Sequence, residues 1–318
     1  MNVLITGASG FIGRYLSRVL LEKSFNVRAI IRSQGKAIFL PVGVTITIAE
    51  DVAKIINWQD ILKGIDVIIH LANRVHVMNE SSNNPLNEYR RINTHVTQTI
   101  AEQAAIAGVK RIIYLSTIKV NGEKTVTHPF TENDAPNPQD YYAVSKLEAE
   151  QTLSYVSKKT GVEFVILRPA LVYGPGVKGN FYTMLKFIRN DIPLPLLSIK
   201  NSRSYIYIGN ISDAIIHCIE HPDAANKVFL ISDAENLSTP ELISRLSSAF
   251  NKKSRLCHCP VPMLSFIGTV TGHLNVVNRL KDSLVVDSSR IREELAWTPA
   301  FTTTQGLNET VDWFKRNG

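Results

Sequence analysis

The sequence predicts an α/β protein: a doubly wound parallel sheet with helices on both faces, joined to a smaller mixed α/β lobe toward the C-terminus. Three observations predict it. Short apolar runs alternate with helical patterns from residue 3 to residue 167. The first run leads through Gly7, Gly10 and Gly13 directly into a helical pattern. After Arg168-Pro169 the alternation breaks, and Tyr173-Gly174-Pro175-Gly176 opens a stretch of different rhythm. The expected division is residues 1–172 plus about 206–232 for the sheet domain, and about 173–205 plus 233–318 for the lobe.

Residues 3–6 read as a buried strand, and Ile12, Leu16, Val19 and Leu20 space a helix after it. Gly7 permits the tight turn between them. Gly10 leaves room for a pyrophosphate to approach the backbone, and Gly13 lets the helix lie close to the sheet. The unpaired N–H groups and positive end of that helix then face an anion. This is the phosphate-binding turn of a Rossmann-type dinucleotide site, with Ser9, Phe11 and Ile12 as further expected contacts.

The second strand is expected at 27–31, with Arg32 at its end. An acid at that point would bind the ribose 2′-hydroxyl and repel a 2′-phosphate. Here Ile30, Ile31 and Arg32 stand instead, and Arg14 follows the third glycine. The pair favours NADP over NAD. A third strand at 44–49 brings Asp51 and Val52 toward the adenine end. Trp58–Leu62 reads as a short helix, and 67–71 as a fully apolar central strand. Leu71, Ala72, Asn73, Arg74, Val75 and His76 follow it and should border the cofactor. Residues 85–108 read as one long helix carrying Asn93, and 111–116 as the fifth strand. Pro129, Pro136 and Pro138 make 122–140 a loop. A helix at 142–158 and a strand at 163–167 complete the alternation, with Pro169 reaching the cofactor. Beyond it, helices are expected at 181–189, 211–220 and 239–250, and a strand at 228–232. Ser238 and Glu241 form a capping box for the last helix.

Hydrophobic residues make up 44% of the chain and charged residues 20%, enough to bury a core. No apolar run reaches the roughly 18 residues of a membrane span. The N-terminus enters the first strand at once, so no signal peptide and a cytoplasmic location are expected. The net charge is +7 and the pI about 9.2. The basic residues are scattered, without a dense run or aromatic interleaving, which argues against nucleic acid and for an anionic small ligand. Three cysteines, Cys218, Cys257 and Cys259, fit reduced thiols. Cys257-His258-Cys259 lacks a second ligand pair, so no metal is expected. The apolar residues of 265–280 read as lobe core, a membrane contact being the reading only for a lipid-linked substrate.

Tyr142 and Lys146 stand four apart and share a helix face. An ammonium beside a phenol lowers the phenol from its ordinary pKa of about 10, as a proton-transfer group near neutrality requires. Two other pairs have the same spacing, Tyr155/Lys159 and Tyr182/Lys186. Only Tyr142 starts its helix after the loop that leaves strand 5, near the Ser116 and Thr117 hydroxyls.

These residues, with His70-Leu71-Ala72, Asn93, Leu115-Ser116-Thr117, Arg168-Pro169 and Tyr173-Gly174-Pro175-Gly176, resemble the extended short-chain dehydrogenase/reductases. The resemblance is to their nucleotide-sugar epimerase/dehydratase/reductase branch, and it extends through Arg203-Ser-Tyr-Ile-Tyr-Ile and Val286 to Pro299. It implies Tyr142 as acid/base, Lys146 on the cofactor ribose, Thr117 on the reacting oxygen and Asn93 as a structural or relay residue. It implies Arg203 and Arg279 on the nucleotide-sugar diphosphate with Asn180 nearby, Arg74 and Lys119 as further substrate contacts, and a homodimer.

Thr117 is followed by Ile118 and Lys119, not by the Asp-Glu of the 4,6-dehydratases, so water elimination is not expected. The run from Arg74 to Met78, Ile118 to Gly122 and Pro129-Phe-Thr most resembles bacterial reductases that make UDP-N-acetylquinovosamine. The expected activity is reduction of a UDP-4-keto-6-deoxy-N-acetylhexosamine for surface polysaccharide. The alternatives are 4-epimerisation of a UDP-hexose or N-acetylhexosamine and a cofactor-binding protein without turnover.

Overall fold

A computed structural model describes the chain except for Ile56, residues 76–83 and His273. His76 and Met78, singled out above, lie outside the described residues. The order of elements is β1 (Asn2–Thr6), α1 (Phe11–Glu22), β2 (Asn26–Ile31), β3 (Thr45–Ile48), α2 (Trp58–Leu62), β4 (Val67–His70), α3 (Pro85–Tyr89), α4 (Val96–Ala107), β5 (Arg111–Leu115), α5 (Tyr141–Thr160) and β6 (Glu163–Pro169). There follow β7 (Leu171–Tyr173), α6 (Gly179–Arg189), β8 (Arg203–Tyr207), α7 (Ile208–Glu220), β9 (Lys227–Ile231), β10 (Asn236–Leu237), α8 (Thr239–Ala249), α9 (Val261–Val270), α10 (Leu274–Lys281), α11 (Ser289–Leu295) and α12 (Thr303–Asn317).

The large sheet has seven strands in the order β3-β2-β1-β4-β5-β6-β9, every pair parallel. Its central strands β1, β4 and β5 are buried and largely apolar because both faces are covered, while the edge strand β3 alternates Thr and Ile and is partly exposed. Val3, Ile5, Val67 and Ile69 pack on one side with Leu16 and Leu20 of α1 and Ile211 and Ile215 of α7. Their sequence neighbours Leu4 and Ile68 point the other way, onto Trp58, Leu62, Ile100 and Leu153. The winding reverses between β1 and β4, which opens a crevice at their carboxyl ends.

The lobe has its own core, built from Tyr173, Phe181, Leu185, Tyr205, Leu242, Leu246, Leu307 and Phe314. A three-stranded sheet, β10-β8-β7, runs through it. These strands are two to five residues long and carry no alternation strong enough to announce them. The segment 284–297 differs from its expected assignment to the lobe. Leu284, Val286, Ile291, Leu295 and Trp297 are buried in the core of the large sheet. Trp297 Nε1 donates to Asp213 at 2.8 Å, which fixes the segment against α7.

Two further expectations change. The long helix at 85–108 is interrupted by a π-helical turn at Arg90–His95. The segment 265–280 is lobe core only in part: Val277 and Leu280 pack against that core, but Phe266, Ile267 and Val270 are exposed, and the region forms the α9–α10 hairpin. Gly268 sets this orientation, since a Cβ there would lie 2.8 Å from Val277 of α10, and only that side of α9 is covered. Cys257 is exposed and Cys259 is buried.

The tightest constraint on the crevice is at Gly13, where a Cβ would lie 2.5 Å from the Gly7 carbonyl oxygen and 2.6 Å from Ala8 Cα. Both neighbours are backbone and cannot swing away. Gly13→Ala is therefore expected to lose about 1–3 kcal/mol, read as a Tm lower by about 1.5–4.5 °C in a thermal melt. An unchanged Tm would show that α1 can lift from the sheet without cost.

Candidate active site

A cleft of about 1840 Å³ runs from the carboxyl ends of the large sheet to the lobe. Single-ligand pockets measure about 300–1,000 Å³, so this one has room for two nucleotide-sized molecules together. Gly7, Ser9, Gly10, Phe11, Ile12 and Gly13 line it at one end with Arg32, Asp51, Val52, Leu71, Ala72 and Asn73. Thr117, Tyr142 and Pro169 lie on its wall, and Arg74, Lys119, Asn180, Arg203 and Arg279 line the rest. Among the described candidate catalytic, cofactor and substrate residues, Lys146 and Asn93 do not line the cleft.

The glycine end has the form of an anion cradle. Gly7 has φ +73°, and a Cβ there would meet Ala72 N at 2.7 Å. Gly10 begins α1 without a side-chain cap, and the first turn carries no acid. The free N–H groups thus open onto the cleft. A chain of hydrogen bonds fixes the neighbouring loop. Ala72 N donates to Thr6 Oγ1 at 3.2 Å, and Thr6 Oγ1 meets His70 Nδ1 at 2.6 Å. His70 Nε2 meets Thr97 Oγ1 at 3.0 Å, and Thr97 donates to the Asn93 carbonyl at 2.6 Å. Burial and the nearby Lys146 push His70 down to about 3, so it is neutral. The donor order assigns its proton to Nε2.

Asn93 sits in the π-helical turn and is buried. Its Oδ1 accepts from Arg74 N at 2.7 Å, and its Nδ2 donates to the Arg74 carbonyl at 3.1 Å and to Ser145 Oγ at 2.9 Å. It therefore ties the loop after β4 to α5.

Asp140 caps α5, accepting from Ala143 N at 2.7 Å. It also accepts from Lys119 Nζ at 2.6 Å, and Lys119 holds Glu123 at the same distance. Tyr142 lies in the first turn of this helix. Burial, then the Asp140 charge, holds its phenol above the ordinary range. This corrects the sequence expectation of a lowered phenol. The physical reason is the placement of Lys146, whose Nζ donates to the Leu115 carbonyl at 2.6 Å and lies 4.0 Å from the Tyr114 ring centroid. The ammonium is spent on β5 and not on Tyr142. Burial lowers it to about 7, against the pull of Glu150.

One turn beyond Lys146, Glu150 is the residue that sequence reasoning missed. Its carboxylate accepts from Arg168 Nε at 3.0 Å and Nη2 at 2.5 Å, and from Ser116 Oγ. Arg168 Nη1 donates to Asn121 at 3.0 Å. The signal was present, since Tyr142, Lys146 and Glu150 repeat at i, i+4, i+8 on one helix face. The expected adenine contact, Asp51, lines the cleft but also holds Arg91 at 2.8 Å. Arg14 donates to the Ser9 carbonyl at 2.7 Å and covers the Phe39 ring at 3.8 Å. Arg32 is exposed at the same rim, together with Arg18 and Lys36. Among the described residues no group of three His, Cys, Asp or Glu is placed to hold a metal ion.

The family model described as Epimerase, the NAD dependent epimerase/dehydratase family, matches residues 3–232. The UDP-glucose 4-epimerase of Vibrio cholerae is 39% identical, covering 98% of this chain and 95% of that protein. The N-acetyl-alpha-D-glucosaminyl-diphospho-ditrans,octacis-undecaprenol 4-epimerase of Escherichia coli O157:H7 is 26% identical over 98% of this chain and 95% of its own length. Among solved structures, the UDP-glucuronic acid 4-epimerase from Bacillus cereus in complex with UDP-glucuronic acid and NAD superposes with a TM-score of 0.80, 25% identity and 99% coverage of each chain.

The Lys146 environment gives a pH test. In the unfolded chain this lysine keeps its proton to about pH 10.5, while in the fold it loses it near 7. Between these values the unfolded state binds more protons, so stability rises with pH. From pH 7.5 to 9.5, denaturant titration should show wild type gaining stability relative to Lys146→Met. Parallel curves would place the ammonium in water.

Proposed function

The chain belongs to the NAD dependent epimerase/dehydratase family, and we propose that within it the protein is a 4-epimerase of a UDP-hexose. The observation that carries this reading is one cleft with the anion cradle at one end, Thr117 and Tyr142 on its wall, and Arg203 and Arg279 at the other end. The 39% identity to a UDP-glucose 4-epimerase over nearly both full lengths supports the choice of reaction.

The residues present fit a nicotinamide dinucleotide. A Cβ at Gly7 or Gly13 would strike backbone, and the uncapped start of α1 presents N–H donors to a pyrophosphate. When bound, that cofactor supplies the hydride acceptor and donor for the reaction. In this reading the glycine turn holds the cofactor, with Ser9, Phe11, Ile12, Val52, Leu71, Ala72, Asn73 and Pro169 around it. Arg203 and Arg279 hold the diphosphate of the sugar nucleotide. Arg203 is fixed for this by its bonds to the Arg279 and Asp282 carbonyls, at 2.9 and 2.8 Å. Thr117 Oγ1 accepts from Lys119 N at 3.3 Å, which aims its hydroxyl from the start of the short helical turn. It donates to the oxygen on carbon 4. Tyr142 exchanges a proton with that same oxygen, and Lys146 reaches the ribose by leaving the Leu115 carbonyl. Rotation of the sugar in the cleft would present either face of carbon 4, with Tyr142 returning the proton to the same oxygen.

A second reading, reduction of a UDP-4-keto-6-deoxy-N-acetylhexosamine, is favoured by two specific features. The rim at the end of β2 is basic, with Arg14, Arg18, Arg32 and Lys36, and suits the 2′-phosphate of NADPH. Tyr142 is also held as the neutral phenol, the form that donates a proton to a ketone.

Purified protein assayed with UDP-glucose, UDP-N-acetylglucosamine and the 4-keto sugar nucleotide, each with NADH and NADPH, separates the readings. Epimerisation yields the C4 epimer with no net cofactor consumption, and reduction consumes one NADPH per product. In either case Tyr142→Phe should lower turnover by about 10²–10⁴-fold while cofactor binding, read by fluorescence titration, is unchanged. Full turnover by Tyr142→Phe overturns both. Arg32→Glu should weaken NADPH binding at least about tenfold more than NADH binding; equal losses would remove the 2′-phosphate argument.

A further inference from the structure

The α9–α10 hairpin wears its apolar side outward. Met263, Phe266, Ile267 and Val270 fall at i, i+3, i+4 and i+7 of α9 and so share one face. They are 51, 69, 46 and 71% exposed, while Leu264 and Gly268 on the opposite face are buried. A surface helix in water normally has the reverse arrangement. The helix itself carries no charge, but the segment around it carries much. Residues 251–281 contain Lys252, Lys253, Arg255, Arg279 and Lys281 and no Asp or Glu. Lys253, Arg255 and Arg279 are exposed. Among the described residues, the acid that meets this segment from outside in an ion pair is Asp191, at 2.6 Å from Lys252 and 3.8 Å from Arg255.

We propose that this hairpin docks the protein on an anionic lipid bilayer, with the α9 stripe at the acyl boundary and the flanking cations on the headgroups. An apolar stripe beside unopposed positive charge is the pattern of an interfacial helix. A second copy of the chain does not fit as the occupant, because its own hairpin would set the same cations against these. The docking also places the cleft. Val276, Arg279 and Leu280 of α10 line it, so a docked hairpin keeps its mouth within about one helix diameter, ~10 Å, of the headgroups.

The test is flotation of the full-length protein with unilamellar vesicles of phosphatidylcholine alone or phosphatidylcholine with phosphatidylglycerol at about 7:3, with sedimentation velocity in parallel. Wild type should float at least about tenfold more with the anionic vesicles and be released by about 300 mM salt. Phe266→Glu/Val270→Glu, at two positions that do not line the cleft, should lose that binding about tenfold with an unchanged Tm and unchanged turnover. Lys253→Gln/Arg255→Gln should lose several-fold and leave the apolar stripe intact, which keeps the test decisive should the first variant fold poorly. No wild-type flotation with anionic vesicles overturns the proposal. So does retained binding by the glutamate variant, or a dimer that the glutamate variant dissolves without any vesicle binding.

Discussion

One buried carboxylate holds α5 to the sheet. Glu150 and Arg168 are both nearly inaccessible, and neither would be stable there alone, since an isolated charge in a low-dielectric interior costs several kcal/mol. The guanidinium meets the carboxylate through two nitrogens and spends a third donor on Asn121, while Ser116 supplies the remaining contact. Three backbone segments are locked by these bonds: α5, the end of β5 and the end of β6. Thr117 follows Ser116 directly, and Tyr142 lies two turns before Glu150. The relation between the hydroxyl and the phenol on the cleft wall therefore follows from an interaction that does not itself face the cleft. The same carboxylate pulls Lys146 toward its charged form against burial. Position and protonation in this site share a cause.

A second set of bonds does the same for the cofactor end. The chain from Ala72 through Thr6, His70 and Thr97 to Asn93 is directional, because each hydroxyl donates once and accepts once. A protonated His70 would leave Thr6 without an acceptor, and burial prevents it. Asn93 completes the link by holding both backbone groups of Arg74. A regular α-helix would carry Asn93 past this position. The π-helical turn inserts the extra residue that keeps it there, at the cost of a wider hydrogen-bonded ring. Local irregularity here is the result of satisfying two buried backbone groups.

Much of this was legible in the sequence, for particular reasons. The large sheet was legible because both faces of its central strands are buried, which leaves apolar runs such as residues 67–69. The glycine turn was legible because Gly7 and Gly13 have no room for a side chain. The small sheet was not legible, since its strands are short and are held by tertiary contacts such as Tyr173 Oη to Asp233 at 2.9 Å. The outward face of α9 was not legible either. Periodicity gives an apolar stripe but not the side on which the rest of the protein lies, and Gly268 decides that only once α10 is in place. The lowered phenol expected from Tyr142 and Lys146 failed for a related reason. Spacing puts two residues on one face, but a lysine's long stem lets its ammonium choose a nearer acceptor, here the Leu115 carbonyl.

The remaining electrostatic question concerns the start of α5. The positive end of a helix favours an anion in its first turn, which would lower the Tyr142 phenol. Asp140 works against this. Its carboxylate occupies the capping position and adds a negative charge beside the phenol. Lys119 balances that charge, but it is shared with Glu123, so the three groups together are net negative. The phenol is therefore held protonated by its own helix cap. The residue types that would draw its proton away are cations, and the described ones nearest by sequence and contact, Lys119 and Lys146, are bound to other acceptors. A shift of the Lys146 ammonium from the Leu115 carbonyl toward Tyr142 would bring a cation to the phenol without moving the backbone. In the proposed reaction, proton transfer by Tyr142 would depend on that rearrangement of one lysine, while Glu150 and Arg168 hold the backbone still.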